Sequence, residues 1–155
     1  MSITAGGVTF EGVSKRYGDF AAVDNVSFTI EPGTLVTLLG PSGCGKTTTL
    51  RMAAGLETAS GGRILIGGAD VTNLAASERN VSLVFQSYAL FPHMSVLDNV
   101  CYGPISAKVD KARARELARN KLGMLGLAGL EQRLPSELSG GQQQRVAVAR
   151  ALVLE

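Results

Sequence analysis

The chain has 155 residues, 45% of them hydrophobic, and a formal net charge of +2. That is the size of one domain with enough apolar content for a core. Its basic residues are spread along the chain and leave no nucleic-acid footprint, so no nucleic-acid partner is expected. The opening "MSITAGGVTF" has no basic stretch followed by an apolar one, and no apolar run reaches the ~18–20 residues that span a bilayer. Cys44 and Cys101 form neither a disulfide framework nor a metal-ligand cluster. These features predict a soluble, cytosolic single-domain fragment.

In chain order, "VTFEGVSKRY" reads weakly as a strand. Val26, Phe28 and Ile30, alternating with Ser27, Thr29 and Glu31, read clearly as its half-buried antiparallel partner. "EPG" punctuates, and the apolar run "TLVTLLG" (34–40) suits a strand of a parallel sheet, buried on both faces. "KTTTLRMAAGL" has helix-forming character and should end near Gly55. "GRILIGG" predicts a short strand and "NVSLVF" (80–85) another buried one. Between Asp98 and Leu134 the texture turns helical, with Ala114, Leu117, Ala118, Leu122 and Leu125 at helical spacing. The basic face of that segment is either solvated or a partner surface.

Between "TLVTLLG" and the helix lies "GPSGCGKTT", the G-x-x-x-x-G-K-[ST] pattern in the strand–loop–helix context it requires. Gly40, Gly43 and Gly45, with Pro41, Ser42 and Cys44 between them, allow backbone N–H groups to approach a ligand closely. Those amides and the helix N-terminus favour a polyphosphate. Lys46 supplies a point charge to the β- and γ-phosphates, Thr47 a hydroxyl to Mg²⁺, and Thr48 a hydrogen bond nearer the nucleoside. ATP is therefore expected to protect Cys44 from alkylation.

Three further stretches narrow the class: "SKRYGDFAAVDNVSF", which holds Tyr17; "VFQSYALFPHMSVLDNV", centred on Gln86; and "LSGGQQQRVAVARAL", which opens with Leu138, Ser139, Gly140, Gly141 and Gln142. With the phosphate loop they resemble the ATP-binding subunit of ATP-binding-cassette (ABC) transporters over essentially the whole chain. The wording around Gln86 is most similar to bacterial importers for polyamines, ferric iron, sulfate or organophosphonates. The resemblance implies an α/β P-loop NTPase with an N-terminal antiparallel β part, a parallel-sheet core and a helical insert. Residues 1–97 would form the nucleotide-binding core and 98–137 the helical subdomain, with the signature and the start of its helix at 138–155.

By the same resemblance Tyr17 stacks on adenine, Val23 lines the ribose side, and Gln86, at the end of a buried strand, senses Mg²⁺ and the attacking water. The loop with Tyr88, Leu90, Phe91 and Met94 either packs beneath the helical insert or forms a groove for a permease helix; His93 reads as a surface residue. Ser139 and Gln142 fit an S-x-x-Q capping box. Two glycines between them also let a phosphate approach the helix end. In the family this signature closes over ATP held by a second, head-to-tail subunit. An extracellular or periplasmic binding protein would take part indirectly, with the subunit lying on the inner face of the plasma membrane.

The resemblance also implies groups not found here: an Asp-Glu pair ending an apolar strand after the signature helix, then a switch histidine. Glu155 is a poor substitute. The chain is thus expected to lack the hydrolytic centre and some central strands, to be inactive alone, and to aggregate or fold loosely by itself. A nucleotide-binding fragment without turnover remains the alternative. A chromosome-maintenance ATPase is disfavoured, because no sustained heptads separate Gln86 from Leu138.

Overall fold

The computed structural model describes residues 6–79 and 81–154, so residues 1–5, Asn80 and Glu155 lie outside the described part. The chain forms two compact units, Met1–Val81 and Ser82–Glu155. The first carries a four-stranded antiparallel sheet in the order β2-β1-β3-β4, made of β1 (Val8–Tyr17), β2 (Phe20–Ile30), β3 (Gly61–Ile66) and β4 (Ala69–Asp70). The period-two reading of β2 holds: Val26, Phe28 and Ile30 are half-buried while the residues between them are exposed. Phe28 stacks on Phe10 of β1 at 4.6 Å between ring centroids. Phe10, Val13, Val23, Ile64 and Val71 pack with Met52 of helix α1 (Lys46–Ala53) into one apolar core.

The buried strands expected at 34–40 and 80–85 do not form. Residues 34–40 and 81–85 join no β-ladder among the described residues. Leu35 and Leu39 are 97% and 87% exposed. An apolar run states a preference for cover, but a strand forms only beside a neighbour that pairs its N–H and C=O groups. The described residues supply none.

α1 ends where expected, and a residue without periodic signal completes it. The Arg79 guanidinium is buried and donates to the carbonyls of Met52 and Ala53 at the C-terminal end of α1, and to those of Thr72 and Leu74. A cation there satisfies orphan carbonyls and complements the helix dipole. Gly55, with φ 73°, makes room for it: a Cβ at that position would stand 2.5 Å from Arg79 Nε. Arg79→Ala removes the side-chain donor from four buried or partly buried carbonyls, of which Met52 O keeps Gly55 N, and should destabilise this unit by about 2–4 kcal/mol. Urea unfolding checks this; an unchanged midpoint would show the carbonyls content without the arginine.

The second unit packs α2 (Val96–Ser106), α3 (Lys111–Met124) and α4 (Gly140–Leu152) around Val96, Val100, Leu122, Leu127, Val146 and Ala149. Ser95 caps α2, its Oγ accepting from Asp98 N; Asp110 caps α3, its carboxylate accepting from Ala112 N and Arg113 N. On α3 the buried residues are Ala114, Ala118 and Leu122, with Leu117 and Leu125 half-buried, which is the face the helical spacing predicts. Lys111, Arg113, Arg115 and Arg119 are exposed. No helix is long and apolar enough to cross a membrane among the described residues.

Candidate nucleotide-binding site

Residues 40–45 turn tightly into α1. Gly40, Gly43 and Gly45 all have positive φ. At Gly45, the N-cap with φ 89°, a Cβ would also meet Ala22 O at 2.5 Å and Val23 Cγ2 at 3.0 Å, so the loop end presses directly on β2. Thr49 ties the first turn back, its N–H and hydroxyl both donating to Gly45 O at 2.8 and 2.9 Å. Lys46 Nζ folds over the loop and donates to the carbonyls of Gly40 and Pro41, each at 2.7 Å. The ammonium thus sits at the mouth of the turn, where an anion can replace its neutral carbonyl partners. Pro41, Ser42 and Thr47 are exposed and Thr48 is half-buried. Among the described residues no group of three or more His, Cys, Asp or Glu is placed to hold a metal ion. The donors that fit Mg²⁺ here are neutral oxygens, with the Thr47 hydroxyl exposed at the first helical turn.

Cys44 is exposed, its Sγ 3.5 Å from Lys46 Nζ. A triphosphate in the loop shields that thiol, so alkylation of Cys44 should slow at least several-fold in saturating ATP. Mass-spectrometric labelling reads this directly; Cys101, buried under α3, is the unreactive internal control. Equal labelling of Cys44 with and without ATP would contradict a filled loop.

Tyr17 ends β1 and is 49% exposed. Its hydroxyl donates to Glu57 Oε2 at 2.8 Å; Lys15 Nζ lies 2.7 Å from Glu57 Oε1 and 5.0 Å from the Tyr17 ring centroid. The hydrogen bond to the Glu57 carboxylate raises the Tyr17 phenol above its usual 10.0, and the Lys15 ammonium lowers Glu57 below its usual 4.5. The signs bracket a window. Support from ionised Glu57 is complete above 4.5 and is lost as pH falls through the lower folded value. The neutral phenol's contribution is lost as pH rises through its raised value. Val23 is buried in the sheet core, its Cγ2 3.0 Å from where a Cβ on Gly45 would stand, so it supports the loop from below.

In the second unit, Gln86 lies in an exposed turn closed by Tyr88 N donating to Phe85 O at 2.9 Å, and not at the end of a buried strand. The segment after it is held firmly. Tyr88 and Ala89 both have positive φ, and their carbonyls accept from Arg150 of α4 at 3.1 and 2.8 Å. Asn99, fully buried on α2, accepts from Phe91 N and donates to the carbonyls of Phe91, Met94 and Ser95. Leu90 packs against the helical core, Phe91 lies 4.7 Å from Tyr102, Met94 is half-buried, and Pro92 and His93 are exposed.

The signature turn has the geometry its sequence predicts. Ser139 Oγ accepts from Gln142 N at 3.3 Å and Gln142 Oε1 accepts from Ser139 N at 2.9 Å, a complete capping box. The helix starts at Gly140, two positions earlier than expected. Leu138 is buried, and Gln143 donates to the carbonyls of Pro135 and Leu138, fixing the approach. Gly140 and Gly141 are exposed, neither has positive φ, and a Cβ on either would meet nothing within 4 Å. Nothing inside this unit requires glycine at those positions, although glycine weakens a helix by about 0.8–1.0 kcal/mol per residue relative to alanine.

A glycine-rich loop that turns into α1 with Lys46 folded over its mouth is the arrangement of the P-loop class. The family model for the ABC transporter matches residues 23–155, and the chain belongs to that family. It is 68% identical over 155 residues to the Fe(3+) ions import ATP-binding protein FbpC of Agrobacterium fabrum, covering all of this chain and 44% of that protein. It is 51% identical over 148 residues to FbpC of Escherichia coli O157:H7, covering 96% of this chain and 42% of that one. The chain therefore spans a little under half the length of these curated relatives. Among solved structures, the dimeric structure of MJ0796, a bacterial ABC transporter cassette, matches with TM-score 0.83 at 34% identity, covering 94% of this chain and 69% of that one. A post-hydrolysis state of the same cassette, bound to ADP and Pi, matches with TM-score 0.82.

Proposed function

We propose that the chain serves in the ATP-binding subunit of an ABC importer for ferric iron, coupling ATP binding and hydrolysis to solute movement. The amides of 40–48 and Lys46 hold the β- and γ-phosphates. Tyr17 stacks on the base, and Thr47 would offer its hydroxyl to Mg²⁺, which would neutralise charge across the phosphate oxygens; Gln86 would act as a sensor of metal and water. Leu138–Gln142 of a second copy closes over the γ-phosphate, so that each copy half supplies two sites. The solute follows the relatives at 68% and 51% identity, which are Fe(3+) import ATP-binding proteins. Residues 86–94, braced by Asn99 and Arg150, receive the permease, placing the subunit at the cytoplasmic face of the membrane. A binding protein delivers solute to that permease.

The observation that carries this reading is the pair of glycines at 140 and 141, open to solvent beside a capped helix end and unneeded by their own fold. Such a site is complete only when something charged comes close from outside. Sedimentation of the protein with and without ATP tests it: ATP should drive association into a dimer, and a sedimentation coefficient indifferent to ATP would count against it.

A further inference from the structure

We infer that Lys15 and Glu57 form a brace that fixes the Tyr17 ring as a one-sided stacking platform for a nucleobase. The inference rests on the reading that Tyr17 meets the base. An exposed tyrosine at a strand end is free to swing, and a mobile ring must lose side-chain entropy before it can stack. Here the swing is prevented at two points. Glu57 Oε2 accepts a hydrogen bond from the phenol hydroxyl at 2.8 Å, and Lys15 Nζ lies 5.0 Å from the ring centroid. The lysine is itself fixed, bound to Glu57 Oε1 at 2.7 Å and donating to Thr58 O at 2.8 Å. Residues 57 and 58 are anchored in turn, since Glu57 N donates to Arg51 O at the end of α1 and Ser60 N donates to Ser14 O in β1. The ring plane is thus tied to the helix that carries Lys46 and to the strand that carries Tyr17.

This arrangement assigns the two ring faces. The lysine ammonium occupies the negative face on one side, an attractive cation–π position. The base would take the opposite face of this half-exposed ring. The brace contacts only the ring edge and its far face, so it reads no base edge. It should raise affinity for any nucleoside triphosphate without selecting among bases, as stacking does generally. Lys15 and Glu57 are positioning residues in this scheme and Tyr17 is the contact.

Calorimetric titration with ATP, GTP and inorganic tripolyphosphate separates the brace from the phosphate site, because tripolyphosphate carries no base. Glu57→Ala and Tyr17→Phe should each weaken ATP and GTP alike, by about 3- to 10-fold, the range set by ordering one side chain at a contact. Tripolyphosphate affinity should move less than about twofold. Lys15→Met should act in the same direction. In a Tyr17→Ala background, Glu57→Ala should have no further effect on ATP. Glu57→Gln, which keeps shape and acceptor but releases Lys15, covers the case in which alanine disturbs the fold. The brace is overturned if Glu57→Ala and Glu57→Gln leave ATP affinity unchanged, weaken tripolyphosphate equally, or keep their effect without Tyr17. If instead Tyr17→Ala itself leaves ATP binding intact, the stacking reading fails first and takes the brace with it.

Discussion

Replacing Lys46 with alanine should weaken ATP binding on the order of 100-fold while leaving the unit that carries it folded. The ammonium is bound to the carbonyls of Gly40 and Pro41 at 2.7 Å, and these neutral partners are readily exchanged for phosphate oxygens. A phosphate oxygen adds charge–charge attraction that a neutral carbonyl lacks, and hydrogen bonds to charged groups contribute about 1.5–3 kcal/mol each, so losing the ammonium costs the triphosphate on that scale. Stability suffers less: the lost contacts are solvent-facing, and α1 keeps its Gly45 entry, its Thr49 bonds and the buried Met52. Lys46→Arg should also lose affinity, because a planar fork does not fit where a compact point charge sits between two carbonyls. Calorimetry with ATP and a thermal melt without it read the two effects separately. Intact affinity in Lys46→Ala would remove the phosphate loop from the mechanism.

The second large effect runs in opposite directions in two assays. Gly140→Ala and Gly141→Ala add a methyl group that meets nothing within 4 Å beyond the local helix backbone, at positions without positive φ. Each change should leave stability unchanged or raise it by up to about 1 kcal/mol, through better helix propensity in the first turn of α4. ATP-driven association should nevertheless fall at least 10-fold, because the methyl stands between the helix-end amides and the partner's γ-phosphate. Melting and sedimentation on the same samples check the pair of results. A lower melting temperature with association intact would mean that the glycines serve the fold and nothing else.

What the sequence disclosed follows from how local each feature is. The capping box at Ser139–Gln142 and the turn into Lys46 are built from residues within a few positions of one another, so composition and spacing specify them. The inward face of α3 and the alternation of β2 are periodic, and periodicity survives without knowledge of neighbours. The stretches 34–40 and 80–85 were legible only as apolar. Whether such a run becomes a strand depends on a pairing partner far away in sequence, and none is present among the described residues. The polar residues that organise the site were illegible for a related reason. Arg79 reaches back to Met52, Arg150 to Tyr88 and Ala89, and Glu57 to Tyr17. Each is a single long-range contact with no repeat to announce it. Asn99 alone carried a hint, as an amide in the apolar run that became α2.

The proposed coupling depends on one triphosphate being shared between the loop of one copy and the signature of another, and complementation between two defective variants tests that sharing. Lys46→Ala keeps its signature, and Gly141→Ala keeps its loop. In a mixed dimer one composite site then has both halves intact. Fluorescence transfer between differently labelled copies should show no ATP-driven association for either variant alone and clear association when the two are mixed. If the mixture stays as inert as its components, the two motifs do not meet on one nucleotide across a subunit boundary.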